Sequence, residues 1–135
     1  MLVFRFRTEF AGTEKVNRPR LKVCINTQKD TVIAFALLDS GADRTIIPES
    51  LARVLSLRKG PPARTAGIGG SSEGYESIID NIIFVDETGK MEKITEIPVY
   101  VLADFEDIVI GRNKIFDVFR IVFEQFNDKI ILERK

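Results

Sequence analysis

The chain has 135 residues, 20 basic and 20 acidic side chains, and 44% hydrophobic residues. This balance is typical of one folded globular domain, and the zero net charge predicts neither a nucleic-acid nor a membrane partner. There is no histidine and only one cysteine, which excludes histidine-assisted catalysis, an internal disulfide and a cysteine-cluster metal site. Any chemistry has to rest on carboxylates, hydroxyls, amines, guanidinium groups or the backbone.

The first predicted element is a strand over residues 2–10. Apolar residues recur at positions 2, 4, 6 and 10, with the charged Arg5, Arg7 and Glu9 between them, a pattern typical of a strand and unlike the continuous apolar core of a signal peptide. The uncharged run over residues 31–38 is far shorter than the ~20 residues that a membrane-spanning helix needs. Together with the lone Cys24, these features predict a reducing, cytoplasmic location.

Strand patterns dominate the rest of the chain. They fall at residues 21–27, 31–38, 63–68, 75–85, 91–102, 107–110, 118–126 and 129–133. One short helix is predicted to begin at Pro48-Glu49, and a second to run from Asn113 to residue 118 or 119. We therefore expect a mainly β barrel or sandwich, a single domain over residues 1–135, with residues 1–20 as an extension made of a strand and a turn.

Three segments could carry chemistry. In the first, apolar residues 36–38 run directly into Asp39-Ser40-Gly41. A carboxyl group at the end of an apolar strand is costly unless it is hydrogen-bonded or shares a proton, and a glycine lets backbone groups approach it closely. The same string is also a common turn in which the aspartate caps its neighbours' N–H groups. Both interpretations stay open from these residues alone.

The second segment, residues 66–75, contains four glycines and the apolar Ile68 near its centre. It is typical of a mobile hairpin that closes over a ligand, or of a plain surface loop. A phosphate-binding loop does not fit, because Ser72 stands where its third glycine should be. The third segment, residues 108–113, is an apolar strand that ends at Gly111 before a helix start, and alone it is typical of a core strand.

In this order, the three segments resemble the retroviral-type (retropepsin-like) aspartic proteases over about residues 20–133. The resemblance implies a closed single-lobe barrel with one or two short helices and an active site completed by homodimerisation. It implies that Asp39 is catalytic. It assigns the support of the active-site loop to Ser40, Gly41, Ala42, Asp43 and Arg112, and the substrate-binding flap to Gly67, Ile68, Gly69 and Gly70. Asp43 and Arg112 are expected to form an ion pair.

Two features depart from the family pattern. The family more often has threonine where this chain has Ser40, although the hydroxyl is retained. The chain also has added length before residue 21 and between residues 75 and 107. Because family dimers are often joined by strands from both termini, the added N-terminal strand affects how the two subunits would meet.

The predicted function is an aspartic endopeptidase that needs no cofactor and no metal. It would hydrolyse extended polypeptides through a water activated by two carboxylates. The sequence offers one suitable acid that is expected to be buried, Asp39, so a second subunit is required to supply the other. Apolar residues such as Leu37 and Ile68 would line the cleft. One alternative is a catalytically weak or inactive protease-like fold that acts as a peptide-binding or dimerisation module. A second alternative is a generic β domain. A third is metal-dependent hydrolysis by Asp39, Asp43 and the acids of residues 104–107.

Overall fold

The structure is a computed structural model that describes residues 1–67 and 70–135. Its strands are β1 (Leu2–Arg5), β2 (Arg7–Ala11), β3 (Glu14–Arg18), β4 (Arg20–Asn26), β5 (Thr31–Leu38), β6 (Thr45–Pro48), β7 (Pro62–Gly67), β8 (Gly70–Val85), β9 (Met91–Leu102), β10 (Val109–Ile110), β11 (Phe119–Glu124) and β12 (Lys129–Arg134). Its helices are α1 (Glu49–Val54), α2 (Ile115–Val118) and a 3-10 turn at Gln125–Asn127.

Six strands form a closed barrel in the order β4-β5-β10-β6-β9-β8, and β8 pairs back onto β4 to close it. β7 extends the same sheet by pairing with β8. Side chains alternate along each strand, so Val23 and Ile25 of β4 point inward with Ala36 and Leu38 of β5. The prediction of a mainly β, closed single-lobe barrel is therefore confirmed.

The two ends of the chain meet in a separate antiparallel sheet, the terminal sheet, in the order β1-β12-β11. Leu2 and Phe4 of β1 are buried in the same core as the barrel residues. Phe84 of the barrel packs edge-to-face on Phe119 of β11, with ring centroids 5.6 Å apart. The extension before residue 21 therefore contributes to the core.

The predicted strand over residues 2–10 is broken at Phe6. Its N–H donates to the carbonyl of Asp128 at 2.8 Å, at the end of the pairing between β1 and β12. The chain then forms the hairpin β2–β3, whose turn contains Gly12 at a φ of 67°. β3 was not predicted because its residues are mostly polar. β6 was missed because it is only four residues long and buried throughout.

Both helices are short. α1 begins directly after Pro48, close to the predicted start. α2 begins at Ile115 rather than at Asn113, because Lys114 has a φ of 72° and the N–H of Asn113 donates to the carbonyl of Asp43. No helix within residues 1–67 and 70–135 is long and apolar enough to cross a membrane.

Candidate active site

Strand pairing brings the first and third predicted segments together. β5 and β10 are parallel neighbours with Leu38 opposite Ile110, so Asp39 and Gly111 leave the same end of the barrel. The N–H of Asp39 donates to the carbonyl of Ile110 at 3.0 Å. Parallel strands in register thus place two segments some 70 residues apart in sequence side by side.

The loop after β5 is closed by its own aspartate. Oδ1 of Asp39 accepts the N–H of Gly41 at 2.8 Å, and the carbonyl of Asp39 accepts the N–H of Ala42 at 3.3 Å. The turn interpretation is therefore correct for the local geometry. The expectation of a buried carboxyl is wrong for the single chain, because Asp39 lies beyond the strand end and is exposed together with Ser40.

The segment after β10 holds this loop in place. The N–H of Arg112 donates to the carbonyl of Ala42 at 2.9 Å, and the N–H of Asn113 to that of Asp43 at 2.8 Å. The guanidinium of Arg112 also forms an ion pair with the carboxylate of Asp43, as the resemblance implied. Both side chains are more than half exposed, so the backbone bonds carry most of the attachment.

Gly111 lies where there is no room for a side chain. A Cβ at this position would lie 2.4 Å from the backbone carbonyl of Arg44. The N–H of Gly111 donates to Oγ1 of Thr45, which is fully buried. Thr45 therefore helps to hold Gly111 in place, although it was not predicted from the sequence. Its one sequence signal is a hydroxyl residue directly before an apolar run.

A second apolar cluster lies beside the loop, separate from the main core. In the described part of the chain it consists of buried Ile46, Leu102 and Val109, with partly buried Ala42, Tyr100 and Phe105 packed against them. Val109 is the register partner of both Leu37 and Ile46, so the cluster begins at the strand end from which Asp39 emerges. The cluster also includes Ala42, whose N–H donates to the carbonyl of Asp39, so it adjoins the loop that carries Asp39.

The predicted flap is a β-hairpin as far as the structure describes it. β7 and β8 pair up to Gly67 opposite Gly70, so β8 begins five residues before its predicted start. Ile68 and Gly69 lie outside the described residues. Gly74 is paired with Leu102, the last residue of β9, so residues 70–73 of β8 extend beyond the end of β9.

Arg20 joins the N-terminal hairpin to the loop before β10. Its guanidinium bonds the Glu9 carboxylate, with one N–H···O distance of 3.1 Å, and the Asp107 carboxylate at 3.2 and 3.3 Å. The hydrogen bond from Arg20 lowers the pKa of Glu9 against the opposing effect of burial. The Asp107 carboxylate is therefore neutralised by the guanidinium of Arg20.

Metal-dependent hydrolysis would need a cluster of ligands. In the described residues no group of three acidic or cysteine side chains is placed to hold a metal ion.

A groove of about 710 Å³ lies on the flank of the barrel, away from Asp39. It is lined by the turn before β5, the loop after α1 and the outer side of β8. Among the described residues that line it, Arg44 is the one next to the loop of residues 39–43. Its guanidinium bonds Glu76 at 2.6 Å and lies 4.6 Å from the centroid of the Tyr100 ring. This groove is therefore not part of the candidate active site, because residues 39–43 do not line it.

Comparison with known proteins agrees with this geometry. Residues 21–113 match the family described as aspartyl protease, which is more than half of the chain. The chain belongs to the aspartyl protease family. No curated protein matches it significantly.

Solved structures show the same fold. A retropepsin-like aspartic protease from Rickettsia conorii is 16% identical, with a TM-score of 0.62, and the match covers 98% of this chain and 99% of that one. The EIAV protease complexed with the inhibitor HBY-793 is 23% identical, with a TM-score of 0.50, and the match covers 81% and 92%. The fold is therefore that of the retropepsin-like proteases.

Proposed function

We propose that the protein is an aspartic endopeptidase whose active site is shared between two identical subunits, with Asp39 of each as the catalytic residue. One observation carries the proposal. The loop of residues 39–43 is joined by backbone hydrogen bonds to residues 110–113, and it presents the exposed Asp39 carboxylate beside the second apolar cluster. The aspartyl protease match covers all of these residues.

A second subunit is required because one carboxylate cannot act as both base and acid in the same step. Asp39 is exposed in the single chain, which leaves it accessible to an identical residue across a two-fold axis. Two carboxylates at close range disfavour double ionisation, so they hold one proton between them. The sequence led us to expect a buried Asp39, but an exposed Asp39 is what allows its carboxylate to share a proton with the Asp39 of a second subunit.

The reaction follows from that shared proton. The ionised carboxylate takes a proton from water as the water oxygen attacks the scissile carbonyl carbon, while the protonated carboxyl group hydrogen-bonds the carbonyl oxygen. The tetrahedral intermediate then breaks its C–N bond, and a carboxyl proton passes to the leaving amine. By analogy with other aspartic dyads, activity is expected to peak between about pH 4 and 6.5, and a rate that rises steadily to alkaline pH would contradict this.

The substrate class follows from the surroundings of the loop. An extended peptide would lie between the β7–β8 hairpin and the loop, with main-chain bonds supplying affinity and side-chain pockets supplying selectivity. The second apolar cluster favours apolar side chains next to the cut. Ser40, Gly41, Ala42, Asp43 and Arg112 would keep the loop in place, and Gly67, Ile68, Gly69 and Gly70 would form the flap.

The test is cleavage of a mixed peptide library by the wild type and by Asp39→Asn. The wild type should cut between apolar residues, and Asp39→Asn should reduce cleavage by at least a hundredfold, because an amide cannot accept the water proton. Asp117→Asn is the matched control, since Asp117 is an exposed aspartate on α2, and it should cleave like the wild type. Cleavage that persists in Asp39→Asn contradicts the proposal. Peptide binding without cleavage by either protein favours the peptide-binding alternative.

A further inference from the structure

The groove on the flank of the barrel contains a stretch of β8 with an open edge. On that side of β8, the carbonyl of Glu76 accepts the N–H of Gly60 at 2.9 Å, and the N–H of Glu76 donates to the carbonyl of Pro61 at 2.8 Å. Pairing with β4 begins only at Asn81. In the part of the chain that the structure describes, residues 77–80 therefore have no strand partner on this side, although residues 77–79 pair with β9 on the other.

Ile78 is the residue whose backbone faces this gap. N–H and C=O groups of successive strand residues point to opposite edges, so those of Ile78 point to the same side as those of Glu76. Among the described residues, no backbone group bonds them there. The side chain of Ile78 lines the groove and is 62% exposed. The gap thus offers a donor, an acceptor and an apolar side chain together, which is what an added strand can bond.

The gap is also wide enough to receive a strand. β8 covers about 17 Å from Glu76 to Asn81 at the rise of a β-strand, room for about four residues. The far wall consists of the turn before β5 and the loop after α1, which are joined by the hydrogen bond from the Thr27 hydroxyl to the Leu55 carbonyl at 3.1 Å. The groove volume of about 710 Å³ lies within the range of about 300–1,000 Å³ that is usual for ligand sites.

The charges of the groove favour an acidic occupant. Arg44 and Glu76 line it but form an ion pair with each other. The remaining charged residues of the lining are two cations, Lys29 and Arg58, and one acid, Asp80. Carboxylate side chains on the occupant would therefore be complementary to this surface, and basic ones would not.

We propose that the groove is a second peptide-binding site, in which an extended segment with alternating acidic and apolar side chains adds to β8 at Ile78. Backbone hydrogen bonds to Ile78 would supply affinity, and Lys29 and Arg58 would select for carboxylates. The choice of a polypeptide rests on the proposed function, because the segment would belong to the substrate, outside the stretch that lies at Asp39. Two linked contacts would then raise the affinity for substrates that carry such a segment.

A defined peptide tests the site without any cleavage. The probe is the fluorescein-labelled hexapeptide Glu-Val-Glu-Val-Glu-Val with an amidated C-terminus, and the protein is the full chain with Asp39→Asn. Adding Lys29→Glu and Arg58→Glu should raise the dissociation constant, measured by fluorescence anisotropy, on the order of tenfold. Lys15→Glu with Lys22→Glu is the matched control, because it changes the net charge equally at exposed positions outside the groove. It should leave the constant unchanged, and thermal unfolding shows that each variant is folded.

Amide hydrogen exchange then locates the peptide on the protein. The N–H of Ile78 should exchange quickly in the free protein and at least tenfold more slowly with the peptide bound. The N–H of Ile79, on the β9 side of the strand, is the internal control and should not change. The same peptide methylated at every backbone nitrogen keeps its side chains and charges but cannot donate, and it should bind at least tenfold more weakly.

The outcomes separate this inference from the proposed function. Protection of Ile78, together with weaker binding after charge reversal in the groove alone, supports the second site whether or not the wild type cleaves peptides. Absence of peptide binding, binding without protection of Ile78, or equal affinity of the methylated peptide overturns it. Charge reversal that changes self-association of the protein would assign the groove to a second copy and also overturn it. A wild type that cleaves peptides while the groove binds none retains only the proposed function; peptide binding at Ile78 without cleavage retains only the second site.

Discussion

At the scale of single residues, Gly111 is a position where the backbone of the active-site loop leaves no space for a side chain. Gly111→Ala would place a methyl group 2.4 Å from the Arg44 carbonyl, so the loop between Ala42 and Thr45 has to move. We expect a loss of about 1–3 kcal/mol in the free energy of unfolding, measured by chemical denaturation.

Gly41→Ala is the comparison for that experiment. The only neighbour that an added Cβ would meet among the described residues is Oδ1 of Asp39, at 3.2 Å. This variant should therefore lose much less stability than Gly111→Ala. Equal losses at the two positions would contradict the close approach of Gly111 to Arg44.

The sequence predicted some of these residues for reasons that the geometry explains and missed others. Asp39, Gly41 and Gly111 stood out because polar or glycine residues interrupt apolar strands. Thr45 did not, since nothing in its neighbours indicates that its hydroxyl accepts the N–H of a residue 66 positions away. The exposure of Asp39 was also unpredictable, because it depends on where β5 ends relative to β10.

At the scale of elements, the β2–β3 hairpin is attached to the barrel through Glu9 and Arg20. Glu9→Gln keeps the shape of the side chain but removes its charge, and it should lower the free energy of unfolding by about 1–2 kcal/mol, measured by urea denaturation. Glu14→Gln, at an exposed position on the same hairpin, is the control and should change stability little. Identical losses in both variants would show that the attachment to Arg20 does not stabilise the fold.

Asp86 links β1 to the end of β8 and makes stability depend on pH. Burial works to raise the pKa of Asp86, but hydrogen bonds from the Thr88 side chain and from the N–H groups of Val3, Lys90 and Thr88 outweigh it and hold the pKa below its usual value. A lowered pKa means that the carboxylate stabilises the fold above about pH 4, and that this contribution is lost as the pH falls through the folded-state value.

The corresponding variant is Asp86→Asn. At pH 7 it should be less stable than the wild type by about 1–3 kcal/mol, because an amide cannot replace all of the accepting oxygens. Denaturation from pH 7 to 3 should show this difference shrinking below about pH 4 as the wild type loses its carboxylate. A difference that stays constant to pH 3 would mean that Asp86 is not the group responsible.

Elements with a clear period were predicted well from sequence, and short or polar ones were not. The uncharged, apolar run over residues 31–38, bounded by turn residues, predicted β5 to the residue. The break at Phe6 depends on a bond to Asp128 at the other end of the chain, and β6 owes its form to burial between β9 and β10. Local sequence contains neither piece of information.

At the scale of the whole molecule, the sequence predicted the barrel and the family, but not how the chain ends combine. The terminal sheet pairs β1 with β12, strands that lie more than 120 residues apart. The bonds from the N–H groups of Val3 and Arg5 at the β1 edge to Asp86 and Glu87 follow from that pairing, which only the folded chain defines. The way two subunits would meet was therefore beyond the sequence, even though the need for two subunits followed from a single Asp39.

The central claim is that one active site uses Asp39 from two chains, and subunit mixing tests it most directly. Wild type and Asp39→Asn are mixed in equal amounts, and exchange is verified with a mass-tagged copy before peptide cleavage is measured. If both carboxylates are needed, mixed dimers are inactive and roughly a quarter of the dimers, the wild-type pairs, keep full activity. If each chain contains a complete site, half of the activity remains, and that result would contradict the shared site.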